Sequence, residues 1–539
     1  MNDCCNRPGQ EGFDVAVIGA GSAGFSAAIA AADLGAKVAL VGHGTIGGTC
    51  VNVGCVPSKT LIRAAEAVHG GLAAARFPGL GGAVQMDDWS VLAASKDDLV
   101  TTLRQKKYVD LLPAYDGVSY IEGKARFADG ALIVGDAPMK VGKVILAMGA
   151  HAAVPPIPGM DSVPYLTSTS ALALDRLPKS LLVIGGGVIG VELGQMFSRL
   201  GVDVTICCRS RLLPEMDPEV SAALKNYLEA EGVRVCAGVG YQRIAQTQSG
   251  VELTCEGHCD TVVAEQVLIA TGRRPNSDGL GLEERGIVLA RNGGIVVDDH
   301  LETSVPGIYA AGDVTGRDQF VYMAAYGAKL AARNAVTGNQ YRYDNSSMPS
   351  VVFTDPQVAS AGLTETTARA QGLDIKVSLL PLDAVPRALA ARDTRGLIKL
   401  IADKANDRLL GGQIMAPEGA DSIQTLVLAI KHGMTTLELG ATIFPYLTTV
   451  EGLKLAAQTF DKDVAKRSCC AGGLLGDQPA TNGLPPVQAA LVSILLFASA
   501  GEQNGTTPTS DRRRAPAPVR SSCPRNRDHW ALYPFCGRC

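Results

Sequence analysis

The sequence predicts an α/β protein with two Rossmann-like dinucleotide-binding domains followed by an α+β domain. Three observations predict this class. A strand rich in β-branched residues runs into a glycine turn and a helix at residues 13–34, and the same unit recurs at residues 180–200. From Met348 the pattern changes to strands and amphipathic helices that lack such a turn. A chain of 539 residues is long enough for several domains of this kind.

Composition narrows the classes of function. Hydrophobic residues make up 47% of the chain and charged residues 19%, which excludes a wholly disordered protein. A net charge of -4 gives no global basic field, so we expect no nucleic-acid partner. The N-terminus lacks the pattern of a signal peptide, and the apolar stretch Val487–Ala500 is shorter than the ~20 residues that span a bilayer. We therefore expect a cytoplasmic protein without stable membrane insertion.

The first glycine turn has a defined mechanical role. Gly19 and Gly21 allow a tight turn and let backbone N–H groups approach a pyrophosphate, and Gly24 lets the following helix pack closely on the strand. The next predicted strand, residues 37–41, ends at Gly42, where an acidic residue would usually hold a ribose. The missing acid predicts weaker retention of the first nucleotide.

The second glycine turn comprises Gly185, Gly187 and Gly190, between strand 180–184 and a helix. After the next strand come Arg209 and Arg211 in place of a ribose-binding acid. Two guanidinium groups there favour a nucleotide with a 2′-phosphate, and hence NADPH, although two solvated surface arginines would look the same. Two such turns in one chain indicate two dinucleotide sites.

A cysteine pair occupies the most specific stretch, residues 48–59. Cys50 and Cys55 lie five residues apart, with Gly54 between them and Pro57 after them, so they could close a small disulfide loop. In a reducing compartment such a disulfide is usually catalytic. The alternative interpretation is two buried thiols or half of a zinc site.

Together with residues 271–273 and 309–313, these motifs resemble the flavoprotein disulfide reductases over residues 14–470. The resemblance implies FAD in the first nucleotide site, NADPH in the second, and a C-terminal dimerisation domain. The predicted boundaries are a tail (1–12), an FAD domain (13–155 and 271–345), an NADPH domain (156–270), a dimerisation domain (346–470) and a poorly ordered extension (471–539).

The resemblance also implies roles for individual residues. Cys55 would be the thiolate next to the flavin and Cys50 the exchanging thiol. Lys59 would lie near the flavin and pair with Glu192, and Asp313 would contact the ribityl chain. The residues implied in cofactor binding are Gly19, Gly21, Gly24, Gly48, Thr49, Lys59, Gly149, Gly185, Gly187, Gly190, Arg209, Arg211, Gly272, Arg273 and Asp313.

The C-terminal motifs distinguish between members of this family. Members that act on disulfides carry a histidine general base before a proline, and here that position is Phe444, which cannot titrate. Adjacent Cys469 and Cys470 are too close for an unstrained disulfide but offer two soft donors to a thiophilic cation. The alternative for this pair is two incidental thiols in a mobile segment.

Residues 444–463, 468–472, 45–48 and 383–388 resemble the mercuric reductases. The resemblance implies a homodimer in which Cys469 and Cys470 of one subunit take Hg(II) from small thiols and pass it to Cys50 and Cys55 of the other. Tyr108 and the partner's Tyr446 would lie near the metal, although Tyr108 could equally be an ordinary half-buried helix residue. Transient contact with a mercury transporter is compatible with this function.

Two other functions remain as alternatives. One is a dihydrolipoamide dehydrogenase or a glutathione-type disulfide reductase, and the other is a non-catalytic thiol buffer for heavy metals. The remaining cysteines give no strong indication of a functional role. Cys255 and Cys259 suggest incidental thiols at a hairpin tip rather than a metal site, Cys207 and Cys208 suggest packing, and residues 4–5 suggest a frayed terminus.

Overall fold

The computed structural model describes residues 12–257, 259 and 261–460. The strands are β1 Phe13–Ile18, β2 Val38–Gly42, β3 Val118–Glu122, β4 Ala125–Ala128, β5 Ala131–Val134, β6 Ala137–Met139, β7 Val141–Leu146, β8 Ala150–Ala152, β9 Ser180–Ile184, β10 Asp203–Cys208, β11 Arg234–Ala237, β12 Gly240–Thr247, β13 Gly250–Glu256, β14 Thr261–Ala264, β15 Gln266–Ile269, β16 Arg273–Pro275, β17 Ile308–Ala310, β18 Pro349–Val352, β19 Gln357–Gly362, β20 Ile375–Pro381, β21 Leu397–Asp403 and β22 Leu409–Ala416. The α-helices are α1 Ser22–Ala32, α2 Gly48–Val53, α3 Cys55–Ala73, α4 Trp89–Arg104, α5 Ser168–Ala171, α6 Val188–Arg199, α7 Pro218–Ala230, α8 Val321–Thr337, α9 Glu365–Ala370, α10 Pro386–Ala391, α11 Gly419–Lys431, α12 Thr436–Ala441 and α13 Glu451–Gln458.

The first nucleotide-binding unit is a parallel sheet in the order β17-β7-β1-β2-β3. Val17 lies opposite Leu40 on one side and Ile145 on the other. Alternate side chains of β1 enter two different cores. One core faces α1 and α8, and the other faces the small antiparallel sheet β4-β5-β6. Burial on both faces explains why these strands are apolar runs rather than alternating ones.

The second unit is a parallel sheet in the order β11-β10-β9-β15, with the antiparallel sheet β12-β13-β14 beside it. One face packs on α6 and α7, and the other packs on the antiparallel sheet. The third region is the antiparallel sheet β18-β19-β22-β21-β20, which packs on α11 and α13. The predicted α/β class, with two nucleotide-binding units and an α+β region, is confirmed.

The sequence predicts that the helices after the glycine turns begin at Ser26 and Glu192, but they begin four residues earlier, at Ser22 and Val188. The reason is that the third glycine of each turn is already helical, so it belongs to α1 or α6 rather than to the loop. Both turns lie at the carboxyl ends of central strands, which is where open α/β sheets bind ligands. The domain boundaries stay predictions, and residues 1–11 and 461–539 lie outside the described part of the chain. Among the residues described, no helix is long and apolar enough to cross a bilayer.

Candidate active site

The first glycine turn fits a bound pyrophosphate. Gly19 has a φ of +117°, and a Cβ atom there would lie 2.2 Å from the Ala147 carbonyl oxygen. A Cβ on Gly24 would lie 1.7 Å from the Gly19 carbonyl oxygen, so a side chain would separate helix from strand. Gly48, with φ +67°, packs its backbone on Gly21, where a Cβ would lie 2.6 Å from the Gly21 Cα. The turn therefore depends on close backbone contacts that only glycine permits.

The second glycine turn repeats this geometry. Gly185 has a φ of +122°, and a Cβ there would lie 2.2 Å from the Ala270 carbonyl oxygen. A Cβ on Gly190 would lie 2.1 Å from the Gly185 carbonyl oxygen. Gly187, in contrast, faces space with no atom within 4 Å of a Cβ. That space is where a phosphate group would approach the N-terminus of α6.

One cavity of about 1700 Å³ connects the two turns and the cysteine pair. This volume exceeds the ~300–1,000 Å³ of a typical pocket for one ligand, as two dinucleotides would require. Gly24 and Gly190 do not line it, because they pack beneath their turns. The predicted residues that line the cavity are Gly19, Gly21, Gly48, Thr49, Cys50, Cys55, Lys59, Gly149, Gly185, Gly187, Glu192, Arg209, Arg211, Gly272, Arg273 and Asp313.

Local sequence brings the two cysteines together. Cys50 lies in the short helix α2, which ends at Gly54, and Cys55 is the first residue of the 19-residue helix α3. A Cβ on Gly54 would lie 2.9 Å from the Thr49 carbonyl oxygen, so this break requires glycine. Pro57 fits the first turn of α3 because its missing N–H would have no helical partner there.

The pair is a dithiol in this structure, with both cysteines half-buried. The Cys50 thiol donates a hydrogen bond to the Cys55 sulfur, which lowers the pKa of Cys55 to about 7. Burial opposes this shift, and the positive charge of Lys59 supports it. The same hydrogen bond raises the pKa of Cys50, and burial adds to that effect. The arrangement therefore favours ionisation of Cys55, at a helix N-terminus, over ionisation of Cys50.

Lys59 is held in place beside this pair. Its ammonium group donates a 2.7 Å hydrogen bond to Glu192, whose side chain is only 4% exposed. Glu192 accepts a second hydrogen bond, of 2.8 Å, from the Phe353 backbone N–H, and the Lys59 ammonium lies 4.9 Å from the centre of the Phe353 ring. The predicted Lys59–Glu192 pair is present. Phe353, which the sequence did not indicate, is the residue through which the third region contacts this site.

Tyr108 lies in a π-helical turn, Gln105–Val109, of the kind that often occurs at functional sites. Its ring packs edge-on against Phe25 with centroids 4.8 Å apart, and its hydroxyl is 3.1 Å from the Ser22 hydroxyl. Burial raises its pKa, and the two thiols add to the shift. The ring also lies beside Gly47, three residues before Cys50, although Tyr108 does not line the cavity.

Asp313 lies at the end of β17, after Gly312. Its carboxylate is 3.6 Å from the Arg273 guanidinium, and burial raises its pKa while Arg273 opposes the shift. The Arg273 guanidinium also donates to the Ala150 carbonyl oxygen. The two residues thus form a fixed polar wall in the cavity beside Gly149 and Gly272.

The two arginines after β10 differ in their contacts. Arg211 donates to the carbonyl oxygens of Pro214 and Met216, each at 2.8 Å, and therefore braces its own loop. Arg209 is exposed, with its guanidinium 6.0 Å from the centre of the Tyr241 ring. Arg209 is therefore the better candidate for a 2′-phosphate contact.

The absence of an acid at Gly42 has a steric cause. A Cβ there would lie 2.6 Å from the Ala20 Cβ and 3.2 Å from the Tyr120 hydroxyl. Tyr120 comes from the next strand, β3. Its hydroxyl occupies the space next to Gly42, so a larger side chain at this position would collide with a residue that the sequence did not indicate.

The C-terminal part of the site is only partly described. Phe444 packs against the core of the third region, while Tyr446 is 58% and Ile443 94% exposed. Tyr446 does not line the cavity of its own chain, and its placement beside a partner's site stays a prediction. Cys469 and Cys470 lie outside the described residues.

One expectation from the sequence was wrong. Cys259 is not an incidental thiol, because it forms a disulfide with Cys236, on β11. Both residues are buried in the core between the second sheet and β12-β13-β14. The predicted hairpin is present, with β13 paired to β14. The disulfide was missed because Cys236 lies 23 residues away in a different sheet.

The fold and site define the class of protein. Residues 13–332 match the model of the pyridine nucleotide-disulphide oxidoreductases, and residues 348–457 match the dimerisation domain of these enzymes. The chain belongs to this family. Two solved structures agree with it: the flavoprotein disulfide reductase RclA from Escherichia coli (30% identity, TM-score 0.74, 84% of this chain and 100% of that one) and LpdA from Mycobacterium tuberculosis (27%, 0.74, 83% and 99%).

Within the family, the similar curated proteins are mercuric reductases. The one from Bacillus cereus is 47% identical over 472 residues, which are 87% of this chain and 74% of that protein. The one from Streptomyces lividans is 45% identical over 86% of this chain and 99% of that protein. The one from Shigella flexneri is 43% identical over 88% and 86%.

Proposed function

We propose that this protein is a mercury(II) reductase that uses FAD and NADPH and that reduces thiol-bound Hg(II) to Hg(0). The observation that carries the proposal is the Cys50/Cys55 pair in the cavity that also reaches both glycine turns. Similarity to mercuric reductases over most of the chain supports the choice of substrate. FAD and NADPH, when bound, supply the two electrons by hydride chemistry.

The residues of this chain supply the sulfur ligands and the charges. Hg(II) is a soft cation that prefers thiolates, and the pKa of Cys55 is lowered to about 7, so a large fraction of this thiol is ionised near neutral pH. Bonding of Hg(II) to Cys50 releases that thiol's proton to the departing small thiolate. Lys59, held by Glu192, stabilises negative charge on the pair. Each transfer replaces one sulfur ligand by another, so no titrating base is required at Phe444.

The proposal includes a homodimer, because the chain carries a dimerisation domain and exposes Ile443, Tyr446 and Leu447 on that domain. In the dimer, Cys469 and Cys470 of one subunit would deliver Hg(II) to the pair of the other, with the partner's Tyr446 nearby. NADPH and thiol-bound Hg(II) are both found in a reducing cytoplasm, so that is the proposed location. A transient contact with a mercury transporter belongs to the same proposal.

A substrate panel tests the function. Purified full-length protein is given NADPH and excess cysteine with HgCl₂, oxidised glutathione or lipoamide, and NADPH oxidation is followed. We expect oxidation with mercury and little turnover of the two disulfides, because Phe444 cannot protonate a leaving thiolate. Rapid disulfide turnover without mercury-dependent oxidation would instead identify a disulfide reductase.

A further inference from the structure

A second pair of free thiols lies in the nucleotide-binding unit. Cys207 on β10 is the register partner of Cys236 on β11, and paired residues of a parallel sheet point to the same face. Both enter the core beneath β12-β13-β14, where Cys255 of β13 also lies. The neighbouring Cys208 points to the opposite face, where it packs in the core against α6 and α7 and also lines the large cavity.

Of the cysteines in this core, Cys236 has no free thiol because it is bonded to Cys259, so the second pair consists of Cys207 and Cys255. Cys207 is 0% and Cys255 6% exposed. Cys255 is the register partner of Tyr241, whose hydroxyl donates to the Cys207 carbonyl oxygen, so the two cysteines lie on facing sheets of the same core. Burial raises the pKa of both thiols, so each is protonated near neutral pH. Apolar side chains such as Ile184, Val239 and Leu253 surround them.

These surroundings favour a neutral complex over a charged one. A lone thiolate is costly in an apolar core, but two thiolates that share one divalent cation carry no net charge. Two sulfur donors meet the preference of a soft cation for linear, two-coordinate binding. Among the described residues no third metal-ligating side chain joins these two, and the site has two protein ligands.

Cys207 is also joined to the nucleotide site through its backbone. Its carbonyl oxygen accepts a 2.9 Å hydrogen bond from the N–H of Gly185, the first glycine of the second turn. It accepts another, of 3.0 Å, from the Tyr241 hydroxyl. The Tyr241 ring in turn lies under the Arg209 guanidinium. A shift of Cys207 would therefore disturb both the glycine turn and the support of Arg209.

We propose that Cys207 and Cys255 form a second site for a soft, two-coordinate cation such as Hg(II), and that occupation of this site weakens NADPH binding. The step is ligand exchange without change of oxidation state. Two bonds from mercury to small thiolates break, two bonds to Cys207 and Cys255 form, and the two protein protons leave on the departing thiols. Excess mercury would thus inhibit the enzyme at a place distinct from Cys50 and Cys55.

The test uses the full-length, oxidised, flavin-containing protein without NADPH, so that no mercury is reduced. It is incubated with HgCl₂ and two equivalents of cysteine, and then desalted. Mercury per protomer is measured by atomic absorption, and the Kd for NADP⁺ is measured by calorimetry before and after mercury. The variants are Cys207→Ala and Cys255→Ala, and the matched control is Cys208→Ala on the opposite face.

We expect wild type and Cys208→Ala to bind one more mercury atom than the other two variants. Mercury should raise their Kd for NADP⁺ by roughly tenfold, or about 1.4 kcal/mol, and leave the Kd of Cys207→Ala and Cys255→Ala unchanged. Equal mercury content in all four proteins, or loss of the effect in Cys208→Ala, would overturn the proposal.

A measurement on wild type covers the case in which a core variant does not fold. After mercury loading and removal of excess metal, a digest without reductant is analysed by mass spectrometry. The proposal predicts a mercury-bridged pair of peptides that contain Cys207 and Cys255. Mercury on other cysteine peptides, with these two unbridged, would contradict it. This result is independent of whether the enzyme turns over Hg(II).

Discussion

The two free thiol pairs of this protein contain the same chemical groups but lie in different electrostatic environments. In each pair one thiol affects the pKa of the other. Cys55 begins a helix, lies in the large cavity and is near Lys59, and its pKa is lowered to about 7. Cys207 lies on the central strand β10 and faces an apolar core, and burial raises its pKa. Access to the cavity and a nearby cation, rather than the presence of two thiols, therefore mark the reactive pair.

The largest effect expected from this comparison is on turnover. Cys50→Ala removes a sulfur ligand in the cavity, and we expect mercury-dependent NADPH oxidation to fall by at least ~10³-fold. Cys255→Ala removes a thiol of the buried pair, and at low mercury its rate should stay close to that of wild type. Steady-state assays of both variants test this. Similar losses in the two would remove the functional distinction between the pairs.

Alkylation measures the thiolate content of the two pairs directly. We expect iodoacetamide to modify the reduced Cys50/Cys55 pair on the order of 10² times faster than Cys207 at pH 7, because only Cys55 is ionised and accessible. The rate at the Cys50/Cys55 pair should fall as the pH drops through about 7, since protonation of Cys55 removes its thiolate. Peptide mass spectrometry after timed quenching gives both rates. A midpoint near 9 for that pair would contradict the assignment.

Lys59→Met tests the contribution of the cation. The substitution keeps an unbranched side chain but removes the charge that lowers the pKa of Cys55. We expect the alkylation midpoint to move upward and the rate at pH 7 to drop by about 3- to 10-fold. Lys225→Met, on the exposed face of α7, is the control for loss of a lysine elsewhere. An unchanged midpoint would contradict a contribution of the Lys59 charge to the pKa of Cys55.

A smaller effect is expected at Arg209 and Arg211, which follow Cys207 in sequence and should differ in their contribution to NADPH binding. Arg209→Ala should raise the KM for NADPH about fivefold, or ~1 kcal/mol, while the KM for NADH stays constant. Arg211→Ala should instead lower thermal stability, because its guanidinium braces the loop carbonyl groups of Pro214 and Met216. Kinetics with both nucleotides and a melting curve test this. Equal effects on NADPH and NADH would exclude a 2′-phosphate contact for Arg209.

Local features of the fold could be predicted from the sequence. Each glycine turn is a short-range pattern, and the steric contacts of Gly24 and Gly190 explain why that pattern is strict. The Lys59–Glu192 pair was also predicted, but from family resemblance, because 133 residues separate its members. Sequence alone could not show that Tyr120 occupies the space beside Gly42.

Long-range contacts account for the rest. Phe353 reaches Lys59 from the third region, and Cys259 bonds to Cys236 across two sheets. Neither contact leaves a signal in the spacing of nearby residues. The same holds for the buried thiol pair. Cys207 and Cys208 are adjacent cysteines that the sequence does not distinguish, but they lie on opposite faces of β10 and therefore enter different cores.

Release of elemental mercury tests the central claim most directly. Purified protein, NADPH, excess cysteine and HgCl₂ are combined in a sealed vessel, and mercury vapour and NADPH are measured together. We predict one mercury atom in the gas phase for each NADPH consumed, and none from Cys50→Ala. NADPH consumption without vapour, or equal vapour from Cys50→Ala, would contradict the account.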